Sequence, residues 1–132
     1  MNDNVNTNYL IMLVDDHPSI LEVLKVVLEY EGFKTISCGQ STRALHMVAQ
    51  YQPDLILLDI MMPTPDGWAI LRNLRQARAT VNLPVILMSA GAVYQIVVPP
   101  DLDLSNQNTK MLSKPFDNAV LINLLSSMLK TK

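Results

Sequence analysis

Four short apolar runs, each stopped by a polar residue, limit what this chain can fold into more than any other feature. Leu10-Ile11-Met12-Leu13-Val14 stops at Asp15-Asp16, and Leu55-Ile56-Leu57-Leu58 stops at Asp59. Val85-Ile86-Leu87-Met88 stops at Ser89, and the shorter Met111-Leu112 leads into Ser113-Lys114. Such runs fit strands buried on both faces of a parallel sheet, because a strand with one wet face alternates polar and apolar residues. Helical spacing fills the gaps between them. After Pro18, which a first helical position tolerates, Ile20, Val23, Leu24, Val27 and Leu28 recur up to Gly32. Residues 33–37 read as a further strand. Ser41 is placed to cap a helix with Ala44, Leu45, Val48 and Ala49 on one side, closed by Pro53. The turn-forming residues 63–67 precede a helix over 68–78 with Asp66 as its cap, and a last helix over 117–130 turns Leu121, Leu124, Leu125 and Met128 inward. Strands alternating with helices imply right-handed crossovers and a doubly wound α/β fold, whose functional site lies beyond the carboxyl ends of the strands.

The 132 residues suffice for one domain with a real core. We expect residues 1–8, rich in asparagine, to be a disordered tail and residues 9–132 to form the domain. A formal charge of −2 gives no attraction to nucleic acid, and Arg72, Arg75 and Arg78 read as a solvated helix face. The single cysteine, Cys38, cannot form an internal disulfide and reads as a packed thiol. No apolar run approaches the roughly 18 residues of a membrane span, and the polar N-terminus is not a secretory signal. A soluble, cytoplasmic protein with no membrane contact is expected.

Judged by whether they end strands, Asp15, Asp16, Asp59, Ser89 and Lys114 should converge. Carboxylates brought together repel, by about 4 kcal/mol for two charges about 4 Å apart at an effective dielectric of about 20. A divalent cation with a taste for hard oxygen ligands, Mg²⁺ above all, relieves this. A carboxylate beside such a cation can attack phosphorus, with a lysine and a hydroxyl engaging the phosphoryl oxygens. His17 adjoins the acidic pair but has no second histidine or cysteine to help it hold a metal, so a solvent-exposed loop residue is the reading adopted. His46 has no evident role, and Trp68 reads as packing against the sheet or the helix face.

These pieces together resemble the receiver domain of two-component response regulators. They are Leu13-Val14-Asp15-Asp16, Leu57-Leu58-Asp59-Ile60-Met61-Met62-Pro63, Asp66-Gly67, Met88-Ser89-Ala90 and Ser113-Lys114-Pro115-Phe116. The resemblance covers residues 9–130 and implies a flavodoxin-like, five-stranded parallel sheet in the order 2-1-3-4-5. It implies that Asp59 accepts a phosphoryl group from a histidine kinase or histidine phosphotransfer protein. It further implies Mg²⁺ held by Asp16, Asp59 and the Met61 backbone carbonyl, with Asp15 acting partly through water. Lys114 would pair with the phosphate ahead of a proline that often follows a cis peptide, and Ser89 would be the switch hydroxyl. The protein would be a phosphoacceptor rather than an enzyme, with self-phosphorylation and self-dephosphorylation alone, signalling to a downstream protein as a monomer or weak dimer.

Three departures from that pattern bear on output. Pro65 stands where an apolar residue such as methionine is usual, and Met111 stands where the family has its switch aromatic. In residues 90–109, Val93, Ile96, Val97 and Val98 are β-branched and Pro99-Pro100 breaks a helix, so the helix between the fourth and fifth strands should be short, displaced or absent. That segment motivates an alternative, a pseudo-receiver that serves as a phosphorylation-independent interaction module. A small phosphatase using Asp59 for turnover is disfavoured, because Met61 occupies the position of a second acid.

Overall fold

The structure is a computed structural model that describes residues 8–90, 96–105 and 108–130. All but one residue of the expected N-terminal tail, and residues 91–95 and 106–107 of the unusual segment, lie outside the described residues. In chain order the elements are β1 (Leu10–Val14), α1 (Pro18–Tyr30), β2 (Lys34–Cys38), a 3₁₀ turn (Ser41–Arg43), α2 (Ala44–Tyr51), β3 (Leu55–Asp59), α3 (Gly67–Gln76), β4 (Val85–Ser89), β5 (Thr109–Ser113) and α4 (Asn118–Lys130).

The strands pair in parallel in the order β2-β1-β3-β4-β5. Each apolar run feeds both faces. Met12, Val14, Ile56, Leu58, Val85 and Leu87 pack with Ala44 and Val48 of α2 and Ile70, Leu71 and Leu74 of α3. Their neighbours Ile11, Leu13, Leu55, Leu57, Ile86 and Met88 pack with Leu24 and Leu28 of α1 and Leu121, Leu125, Met128 and Leu129 of α4. Period-two side-chain alternation on an uninterrupted apolar strand therefore builds two cores, one on each side of the sheet.

Helix faces are narrower than the apolar spacing suggests. On α1, Leu24 and Leu28 are buried while Val23 is exposed, and on α2 Ala44 and Val48 are buried while Leu45 and Ala49 are exposed. A helix lying on a sheet covers only one stripe, and the next residue round the cylinder meets water. Ser41 does not cap α2. Its hydroxyl donates to the Pro63 carbonyl at 3.1 Å, tying the 3₁₀ turn to the loop after β3. Asp66 does cap α3, accepting from the Ala69 amide at 2.9 Å, and Asp117 does the same for α4 through the Ala119 amide at 2.8 Å.

The segment between β4 and β5 contains no helix among its described residues, and the fourth helix in chain order is the C-terminal one. Ile96, Leu102 and Leu104 instead rest against the α2/α3 side of the core. The arginines of α3 hold this connection. Arg72 makes a two-pronged ion pair with Asp101, its Nη2 lying 3.0 Å from Oδ1. Arg75 donates to the carbonyls of Thr80, Val81 and Asn108 and to the Thr109 hydroxyl. Two of the three arginines read as solvated are thus structural, because the loop before β4 and the connection after it supply the oxygens that they reach.

Candidate functional site

Strand order reverses at β1, whose connection leads out to β2 while β3 lies on its other side, so the loops after β1 and β3 diverge and leave a crevice. The residues that end β1, β3 and β5 meet there. Asp15 is fully buried and Asp59 is 2% exposed, whereas Asp16 keeps about a third of its side chain in water. Lys114 Nζ donates to Asp15 Oδ2 at 2.8 Å and lies 3.8 Å from Asp59 Oδ1. The register pairs Ser89 with Ser113 and passes the Lys114 amide to the Ser89 carbonyl at 2.6 Å, which sets the lysine beside β4. Ser89 is fully buried at the end of β4, and the Lys114–Pro115 and Thr64–Pro65 bonds are both cis.

Each carboxylate has a different set of partners. Asp15 Oδ1 accepts from the His17 amide at 2.9 Å and faces His17 Nδ1 at 2.9 Å, so both of its oxygens are engaged. Asp59 Oδ1 accepts from the Met61 amide at 3.1 Å. Asp16 Oδ1 is out of contact with water and accepts no hydrogen bond, although His17 Nδ1 stands 3.2 Å away. Burial raises the Asp59 pKa above the ordinary carboxylate range, opposed by the Met61 amide and reinforced by Asp15; Lys114 opposes the rise as well. His17 is shifted upward, first by its hydrogen bond to Asp15 and then by the charges of Asp16 and Asp15.

Gly67 makes the arrangement sterically possible. A Cβ there would sit 2.5 Å from both the Asp59 carbonyl oxygen and the Ile60 Cα, so the start of α3 can close on the end of β3 only through glycine. Trp68 packs against the α2/α3 side of the core, and Met61 is exposed beside it.

Ligand atoms of Asp15, Asp16, His17 and Asp59 all lie within 4.8 Å of one another, so the group has the donors to hold a metal ion. The unsatisfied Asp16 oxygen is the feature that a hard divalent cation fits, since a buried lone pair without a donor is otherwise costly. The sequence expects Asp15, Asp16, Asp59, Ser89 and Lys114 to converge, and of these Asp15, Asp16, Asp59 and Lys114 meet at one end of the sheet, with Ser89 buried at the end of β4. It missed the inward aim of His17, whose only sequence signal is its position directly after the acidic pair.

The sheet is doubly wound and parallel, with buried carboxylates and a lysine at its switch point, which is the class of fold and site that the resemblance to receiver domains implies. The chain belongs to the response regulator receiver domain family of two-component systems, whose model matches residues 11–126. Receiver domains are phosphoacceptors rather than enzymes. The DNA-binding response regulator MtrA of Mycolicibacterium smegmatis is 37% identical over 112 residues, which is 85% of this chain and 46% of that protein. The chain thus spans about half the length of the curated relatives it matches. Among solved structures, the signal receiver domain of a histidine kinase from Syntrophus aciditrophicus superposes with a TM-score of 0.78 at 27% identity, covering 93% of this chain and 91% of that one. The receiver domain of Francisella response regulator 1452 gives 0.74 at 28% identity, over 95% and 100%. No helix among the described residues is long and apolar enough to cross a membrane.

Proposed function

We propose that Asp59 accepts a phosphoryl group from the phosphohistidine of a histidine kinase or histidine phosphotransfer protein, and that residues 9–132 act as one switching domain that signals to a downstream protein. One observation carries this reading: Lys114 reaches both Asp15 and Asp59 from a separate strand, while Asp16 keeps a buried oxygen without a donor. Asp16, Asp59 and the Met61 carbonyl would hold Mg²⁺, with Asp15 partly through water; when bound, the cation neutralises charge on the phosphoryl oxygens.

A carboxylate oxygen of Asp59 attacks phosphorus as the phosphorus–nitrogen bond breaks, and the leaving imidazole keeps the bonding electron pair. Lys114 pairs with a phosphoryl oxygen, at the cost of part of its contact with Asp15. The Ser89 hydroxyl then draws toward the new group and moves the start of the 90–109 connection with it. Because Met111 has no ring to gate a pocket, the readout runs through that connection rather than through an aromatic side chain. The MtrA relatives are DNA-binding regulators that extend beyond the matched region, and we assign no nucleic-acid contact to residues 9–130. Such a module works in the cytoplasm, where its phosphodonor is found.

Incubation with acetyl phosphate and Mg²⁺ followed by intact-mass measurement tests the assignment. One phosphoryl adduct on the wild type, absent from Asp59→Asn, is the expected outcome. An unmodified wild type would instead favour a phosphorylation-independent interaction module, a reading supported by the connection after β4, which has no helix among its described residues.

A further inference from the structure

The family pattern leaves His17 outside the cation site, yet its geometry puts it inside. Its side chain is 59% exposed, so a loop histidine free to point outward would be unremarkable. Instead Nδ1 turns inward, 2.9 Å from Asp15 Oδ1 and 3.2 Å from Asp16 Oδ1. Neighbouring donors on an octahedral cation at about 2.1 Å stand about 3.0 Å apart, so the separation from Asp16 Oδ1, a direct ligand in the receiver reading, is close to the edge of such a shell. That Asp16 atom is the one buried oxygen of the site that accepts no hydrogen bond. His17 makes no side-chain cap to α1, so helix capping does not account for its orientation.

We propose that His17 Nδ1 is a ligand of the bound cation, which turns an all-oxygen Mg²⁺ site into a mixed oxygen and nitrogen site suited to a first-row transition cation. The inference rests on the receiver reading of the acidic cluster and adds one donor to it. An imidazole nitrogen adds affinity for Mn²⁺, Co²⁺ and their neighbours, whereas Mg²⁺ gains little from nitrogen. Ligation through Nδ1 would use the neutral ring with its proton on Nε2, while Asp15 Oδ1 keeps the His17 amide.

The chain has only two histidines, and the other, His46, is exposed on α2, which makes the test clean. The untagged protein is titrated by calorimetry with Mg²⁺ and with Co²⁺, as wild type, His17→Gln, His46→Gln and Asp59→Asn. Mn²⁺-loaded samples are then examined by electron spin-echo spectroscopy for a coupled imidazole nitrogen. His17→Gln should weaken Co²⁺ about tenfold or more, the scale seen when a metal ligand's support is removed, and leave Mg²⁺ within about threefold. The nitrogen coupling should vanish in His17→Gln and persist in His46→Gln. Equal losses for both cations, or a Mn²⁺ spectrum with no coupled nitrogen, would overturn the role of His17. If Asp59→Asn still weakens every cation in that case, the receiver site itself stands; a wild type that binds none of the three cations would remove both.

Discussion

In the proposed role Asp59 must be buried to meet its partners and ionised to attack phosphorus, and the fold pays for both with a destabilised anion. Its raised pKa means that ionising it costs the folded state. That cost is absent below the ordinary carboxylate range, near pH 4, because both states then hold the proton. It grows as pH rises toward the raised value and is complete above it. Asp59→Asn should therefore raise the metal-free melting temperature by about 2–5 °C at pH 7, with the gain shrinking toward pH 4 in a calorimetric series. A variant no more stable than wild type at neutral pH would contradict the burial argument. Gly67 carries a steric demand on the same residue. Gly67→Ala must push the start of α3 away from the Asp59 carbonyl, and its phosphoryl adduct from acetyl phosphate should fall several-fold, read by intact mass. Cys38 is 2% exposed, and burial pushes its thiol up despite opposition from the Gln40 backbone and the Arg43 charge, which favours the unreactive thiol form.

The connection between β4 and β5 differs most from an alternating strand and helix pattern. Its β-branched residues and paired prolines resist helix formation, and its described part lies along α3 with Ile96, Leu102 and Leu104 on the core. The side chains of α3 fix it there, Arg72 through Asp101 and Arg75 through Asn108 and Thr109. Arg75 is partly buried and serves four acceptors, so Arg75→Ala should cost about 1–3 kcal/mol in urea unfolding, because carbonyls that it now satisfies lose their donor. Arg72→Ala removes an exposed pair instead, and its signature should be faster amide exchange across residues 96–105 with little change in global stability. Unchanged exchange there would show that the apolar contacts alone hold the connection.

For the molecule as a whole, the sheet carries a core on each face, and β3 lies at its centre with every residue buried. Asp59 ends that strand, so the proposed phosphoacceptor is mounted on an element that is buried throughout. Leu57 faces one core and Leu58 the other, and truncating either to alanine should cost about 2–5 kcal/mol. Cation binding acts in the opposite direction, since a ligand that favours the folded state stabilises it by mass action. Millimolar Mg²⁺ should raise the melting temperature of the wild type and leave Asp59→Asn nearly unmoved, a difference that scanning calorimetry resolves. An equal rise in both would place the cation elsewhere.

The chain's own order of residues determined the class of fold and which residues end its strands. Uninterrupted apolar runs such as Leu55-Ile56-Leu57-Leu58 suit only strands covered on both sides, and parallel strands bring all their carboxyl ends to one edge. Asp15, Asp16, Asp59, Ser89 and Lys114 could be named from that rule because their positions follow from local periodicity. Contacts made across the chain were decided by the tertiary structure alone. Ser41 finds the Pro63 carbonyl, Arg72 finds Asp101, and Nδ1 of His17 settles between two carboxylates. Periodicity reports which side of an element faces the core, but a polar side chain goes to whichever partner leaves the least charge and the fewest lone pairs unmet, and that partner exists only once the chain has closed on itself.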